Sequence, residues 1–140
     1  SVYLENARAY AQAMDKLADK MTELAKRLKN RRIVQSHSVF DYLARDMRLE
    51  IVAVMQVHDR KPSASAMMQL VKIIREKDAG SIFTEPQYPD NLAKTLAKET
   101  GIPLIKIDSL ATGPENAPLN YYETVMRQNM KAIENCLGVR

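Results

Sequence analysis

Three residues that carry chemistry stand close behind short apolar runs: His37 after "RIVQS", Glu85 after "SIFT" and Asp108 after "PLIKI". A fourth run, "LEIVAVMQ", is followed by His58 and Asp59. Imidazole and carboxylate are the nitrogen and oxygen donors that hold zinc, manganese or ferrous iron. They serve as often in structural roles, and spacing alone leaves both readings open. His37 can bond its own turn, Asp108 can cap the loop through Ser109 or Leu110, and Glu85 can satisfy nearby backbone N–H groups. His58 and Asp59 lie in "QVHDRKPSAS", a polar turn with an Arg and a Lys, which reads as a solvated loop.

Other chemistries find less support. The single cysteine, Cys136, sits near the chain end, permits no internal disulfide and reads as a small buried hydrophobe. There is no GxSxG elbow, no Gly-rich phosphate loop among four glycines, and no acidic pair after the first run. With no nucleophile to name, a hydrolase or transferase is disfavoured and a non-enzyme is expected. The basic stretch "KRLKNRR" suits a helix C-terminus, where cations complement the macrodipole. Two Phe and no Trp give little for bases to stack on, so no nucleic-acid partner is expected. The eight Met are spread along the chain and read as core filler. No apolar run approaches a membrane span. Opening at Ser1 with neither initiator Met nor leader, the chain is expected to be a mature product or a cut fragment.

The elements that position these residues follow from hydrophobic period. Leu4, Ala7, Ala11, Met14, Ala18, Met21, Ala25 and Leu28 recur at steps of three and four, one stripe on a helix reaching Asn30. At about 1.5 Å per residue that helix measures roughly 42 Å. The remaining residues should form a lobe only about 35 Å across, so the helix is expected to overhang it.

Beyond Asn30, strands alternate with helices. Strands are predicted at 32–36, 49–56, 81–84 and 103–107. Ser38 and Asp41 have capping-box spacing for a short helix, Pro62 and Ser63 open another to about Lys77, and Asp90 starts one that Gly101 stops. Asn120 starts the last helix, which is expected to turn Tyr122, Val125, Met126, Met130, Ile133 and Leu137 inward. The loop 109–120 is a surface segment and a candidate gate.

Strand alternating with helix implies parallel strands, right-handed crossovers and a helix-covered sheet. The expected fold is α/β: a three-layer lobe with a four-stranded parallel sheet, preceded by a long N-terminal helix. Parallel strands put all their C-terminal ends on one edge, where ligands bind. His37 would then stand just ahead of a helix N-terminus, whose positive end disfavours imidazolium and keeps a lone pair available to a metal.

The motifs "SHSVFDYLARDMRLEI", "KPSASAM", "IFTEPQYP" and "GIPLIKIDSLA", in this order, resemble the C-terminal lobe of the zinc and manganese solute-binding proteins of ABC transporters. "YLENARAYAQAMDKLADKM" resembles the long helix joining their two lobes. The resemblance implies residues 1–30 as an inter-lobe linker helix and 31–140 as a metal-binding lobe with strand order 2-1-3-4. It implies His37 and Asp108 as metal ligands, with Glu85 as a supporting residue or a further ligand. Two more ligands, usually His, would come from an N-terminal lobe that is not in this chain. The implied cargo is Zn2+, with Mn2+ the alternative, delivered to an ABC permease. The implied location is periplasmic or extracytoplasmic at the cell surface, with membrane contact only through the permease or a lipid anchor outside this chain. The competing expectation is a non-enzymatic α/β interaction module that docks a partner, or another copy of itself, on the exposed stripe of the first helix.

Overall fold

The computed structural model describes residues 1–55 and 62–139. His58 and Asp59 lie outside the described residues. Helix α1 runs Val2–Arg27, followed by β1 (Arg32–Gln35), α2 (Asp41–Asp46), β2 (Glu50–Val54) and α3 (Ala64–Glu76). Then come β3 (Ser81–Thr84), α4 (Asn91–Thr100), β4 (Leu104–Lys106) and α5 (Tyr121–Leu137).

The four strands pair in parallel in the order β2-β1-β3-β4, as the resemblance implies. Period-two alternation divides the core between the two faces of the sheet. Ile33 and Phe83 point to one face, where they join Leu24, Leu28, Met47, Ile133 and Leu137 from α1, α2 and α5 and their flanks. Val34 and Ile82 point to the other, against Ile74 and Leu96 of α3 and α4. Helices cover both faces, giving three layers. All four residues of β3 are buried, which suits its short apolar run between two neighbours.

Helix ends follow local chemistry in some places and tertiary context in others. Ser63 caps α3 by accepting a hydrogen bond from the Ala66 N–H at 3.1 Å. Gly101 stops α4 in the left-handed region at φ 77°. The capping box proposed for Ser38 and Asp41 does not form, because α2 begins only at Asp41 and the Asp41 carboxylate accepts from Gln35 Nε2 instead. Asp90 precedes α4 as expected, but its carboxylate pairs with Lys94 at 2.8 Å and Lys106 at 3.4 Å instead of capping the backbone. Tyr122 is turned outward rather than inward, since it lies on the first turn of α5 beyond the end of the packed core.

Helix α1 has two halves. Leu17, Leu24 and Ala25 are buried against α5 and the sheet, with Leu28 just beyond. The first twelve residues are exposed on every side, including Leu4, Ala7 and Ala11 of the apolar stripe. The predicted overhang is present. No helix among the described residues is long and apolar enough to cross a membrane.

Candidate metal centre

The strand order decides where the polar strand ends meet. From β1 the chain crosses to β2 on one side, then returns past β1 to β3 on the other. The C-terminal ends of β1 and β3 therefore flank a switch point, where two loops leave in opposite directions and open a crevice. His37 follows β1, Glu85 follows β3, and Asp108 follows β4 next to β3.

The turn carrying His37 is held by a side chain beneath it. Gln35 is 1 % exposed; its carbonyl oxygen accepts from the Phe40 N–H at 3.1 Å and its amide donates to Asp41 at 2.8 Å. Phe40 packs edge-on against Phe83 as the floor of this turn. The His37 ring, about one-third exposed, places Nε2 at 2.5 Å from Glu85 Oε2 and stands edge-on to Tyr88 with centroids 5.0 Å apart. A five-residue stretch separates β1 from the six-residue α2, so the ring is oriented by Glu85 rather than by the helix end invoked from sequence.

Glu85 is 1 % exposed. Its Oε1 accepts from the Ser109 hydroxyl. Its Oε2 is in close contact with His37, yet the two are not aligned for a hydrogen bond and Oε2 has no other partner among the described residues. Among the described residues no backbone N–H serves this carboxylate, contrary to the structural alternative read from sequence. A buried carboxylate with so few partners is costly unless positive charge lies close by.

Asp108 is presented from below by α5. Asn129, 5 % exposed, accepts from the Asp108 N–H at 3.0 Å and donates to the Asp108 carbonyl at 2.8 Å. The Asp108 side chain uses Oδ1 to accept from the Leu110 N–H at 2.9 Å and from Gln87 Nε2 at 2.8 Å. The first of these is the loop-capping role anticipated from sequence, with Leu110 at φ 60° completing the tight turn. It uses only one oxygen: no hydrogen bond among the described residues reaches Oδ2.

The three candidates are thus joined through one path: His37 to Glu85, Glu85 to Ser109, and Ser109 to its chain neighbour Asp108. The segment "EPQY" after β3 straps both sides, with Gln87 on Asp108 and Tyr88 on His37. An apolar groove of about 380 Å3, walled by Met14 and Met21 of α1 and Met126 of α5, opens beside Asp108. No group of three or more metal-binding side chains gathers among the described residues.

The sequence assigns no site role to Gln35, Gln87, Tyr88 or Asn129, and takes Ser109 only as a group for Asp108 to cap rather than as a partner of Glu85. Gln87 and Ser109 lie within two residues of a strand-end candidate, a signal that was available. Asn129 carries none, since it looks like one more polar residue on an amphipathic helix.

A family model described as ZnuA, zinc-uptake complex component A, periplasmic, matches residues 1–136. The chain belongs to this family. It is 31 % identical over 134 residues to the zinc-binding lipoprotein AdcA of Streptococcus pneumoniae, which it matches over 93 % of its own length and 26 % of the relative's. Among solved structures, the solute-binding protein FpvC of Pseudomonas aeruginosa in complex with Mn2+ superposes with a TM-score of 0.76 at 27 % identity, over 96 % of this chain and 51 % of that one. The laminin-binding adhesin Lmb of Streptococcus agalactiae shares the fold with a TM-score of 0.80 at 22 % identity, over 97 % and 51 %. The chain spans about a quarter of that curated relative and about half of those solved chains. The arrangement offers one imidazole backed by a buried carboxylate and one carboxylate oxygen that has no partner among the described residues, donor types that suit a borderline divalent ion.

Cys136 stands apart from this site. It is half-buried rather than enclosed, and its thiol donates to Ser81 Oγ at 3.0 Å. Burial pushes the thiol above its ordinary value, and the bond with Ser81 opposes that shift.

Proposed function

We propose that this chain is the C-terminal lobe of an extracytoplasmic receptor that captures a divalent transition-metal ion and delivers it to an ABC permease. His37 and Asp108 are the ligands the lobe contributes. Glu85 supports the first: its carboxylate lies against one ring nitrogen, which leaves the other nitrogen to the metal, and its charge offsets that of the ion. Residues 1–30 form the linker helix and 31–140 the metal-binding lobe, with the remaining ligands supplied by a second lobe. Zinc is the cargo favoured by an imidazole-containing set and by the zinc-binding relative, and manganese is the alternative.

The observation that carries this reading is the buried Glu85, wedged between His37 and Ser109 with no lysine or arginine paired to it among the described residues. A dication bound through His37 supplies the missing positive charge. The test is calorimetric titration of zinc and manganese into the complete receptor and its His37→Ala and Asp108→Ala variants. Loss of tight binding in both variants is expected; undiminished affinity in either removes that residue from the ligand set.

The exposed first half of α1 favours a second reading, in which the stripe through Leu4 docks a protein. In the receptor this surface would lie against the second lobe. A monomer in sedimentation at high concentration, with the stripe unprotected in hydrogen exchange, counts against docking.

A further inference from the structure

We infer that Gln87 sets metal selectivity by confining Asp108 to one coordinating oxygen; this rests on the reading of Asp108 as a ligand. A carboxylate oxygen has two in-plane lone pairs. Both lone pairs of Asp108 Oδ1 are in use, one taken by the Leu110 N–H at 2.9 Å and one by Gln87 Nε2 at 2.8 Å. Oδ2 receives no hydrogen bond among the described residues, so it is the oxygen left for an ion. Chelation through both oxygens would require one donor to let go of Oδ1. The Leu110 N–H is locked into its turn by the backbone, whereas Gln87 is an exposed side chain, and its amide also reaches Thr112 Oγ1 at 3.5 Å. Gln87 is therefore the donor that decides whether Oδ1 can turn to the metal.

The consequence for selectivity comes from coordination number. Zinc is satisfied by four ligands in a tetrahedron, with one oxygen from each carboxylate. Manganese prefers six, largely oxygens, and gains from a carboxylate that binds through both. A lobe that holds Asp108 to one oxygen favours zinc through its geometry, beyond what its ligand types alone specify. Gln87 touches no metal in this account and is a positioning residue.

The test compares the complete receptor with its Gln87→Leu variant, which keeps bulk and removes the donor from an exposed site where folding is not at stake. Zinc and manganese affinities are measured by titration, and Co2+ is used as a spectroscopic probe, since four-coordinate cobalt absorbs visible light far more strongly than six-coordinate cobalt. Wild type is expected to show the intense cobalt bands. The variant is expected to lose about three- to tenfold of its zinc-over-manganese preference, the range set by one hydrogen bond to a charged group at an exposed site, and to show weaker bands. An unchanged metal ratio with unchanged bands overturns the inference, as does a wild-type cobalt spectrum that is already weak. Equal loss of both metals also overturns it, by making Gln87 a general support for Asp108. Retained affinity in Asp108→Ala instead defeats the underlying assignment of the ligand, so the two failures are distinguishable.

Discussion

The two edges of the sheet treat polar groups in opposite ways. At the N-terminal edge, Arg31 donates to the carbonyls of Ala25 and Met47, Arg32 pairs with Asp78 at 2.8 Å, and Asn30 both donates to the Asp78 carbonyl and accepts from the Arg32 N–H. Arg27 and Lys26 pair with Glu134 and Glu23. The basic stretch at the end of α1 is thus largely engaged by groups of its own chain. At the C-terminal edge, Glu85 is buried with an unaligned oxygen, and Asp108 Oδ2 has no partner among the described residues. Among the described residues the first edge spends most of its polar groups on its own chain, with Arg32 Nε the exception, and the second leaves carboxylate oxygens over.

The contrast is broken most severely at Glu85. Glu85→Gln keeps the shape and removes the charge behind His37, and zinc affinity of the complete receptor is expected to fall about ten- to hundredfold, the usual cost of losing a partner behind a metal ligand. Titration against the folded variant measures it. Next comes Asn129→Ala, which leaves the Asp108 N–H and carbonyl without their buried partner. Denaturant unfolding should register a loss of about 1–3 kcal/mol, accompanied by weaker metal binding as Asp108 loses its support. Asn30→Ala at the N-terminal edge is the control: about 1 kcal/mol of stability is expected to go while metal affinity stays at the wild-type value. A fall in affinity there would mean that the two edges are coupled.

The smallest effect concerns Asp90, whose carboxyl is held below the ordinary range chiefly by its hydrogen bond with Lys94, with Lys106 adding to it. A depressed carboxylate stabilises the fold above its unfolded value, near pH 4, and that contribution disappears as pH falls through the lower folded value. Asp90→Asn should therefore melt slightly below wild type at neutral pH. The two melting curves should converge in acid; a gap that persists there would point to packing rather than charge.

Much of the frame was legible in the chain. The period-three-and-four stripe located α1, "SIFT" marked the fully buried β3, and Ser63 and Gly101 bounded their helices by local chemistry. Long-range partners were not. Ser38 and Asp41 have the right spacing for a cap, but Gln35 offers Asp41 a hydrogen bond that spacing does not reveal. Asp108 was visible as a strand-end carboxylate, whereas the residues that dispose it, Gln87 and Asn129, each lie 21 positions away on other elements. Pattern identifies which residues carry chemistry; only packing shows which of their atoms remain available.

The most direct measurement is a zinc-bound crystal structure of the complete receptor with anomalous diffraction collected across the zinc edge. The account predicts a peak about 2.0–2.2 Å from a His37 ring nitrogen and from Asp108 Oδ2, with Oδ1 still bonded to Gln87 and Leu110. A zinc peak bound elsewhere, or bonded without His37 and Asp108, would contradict it.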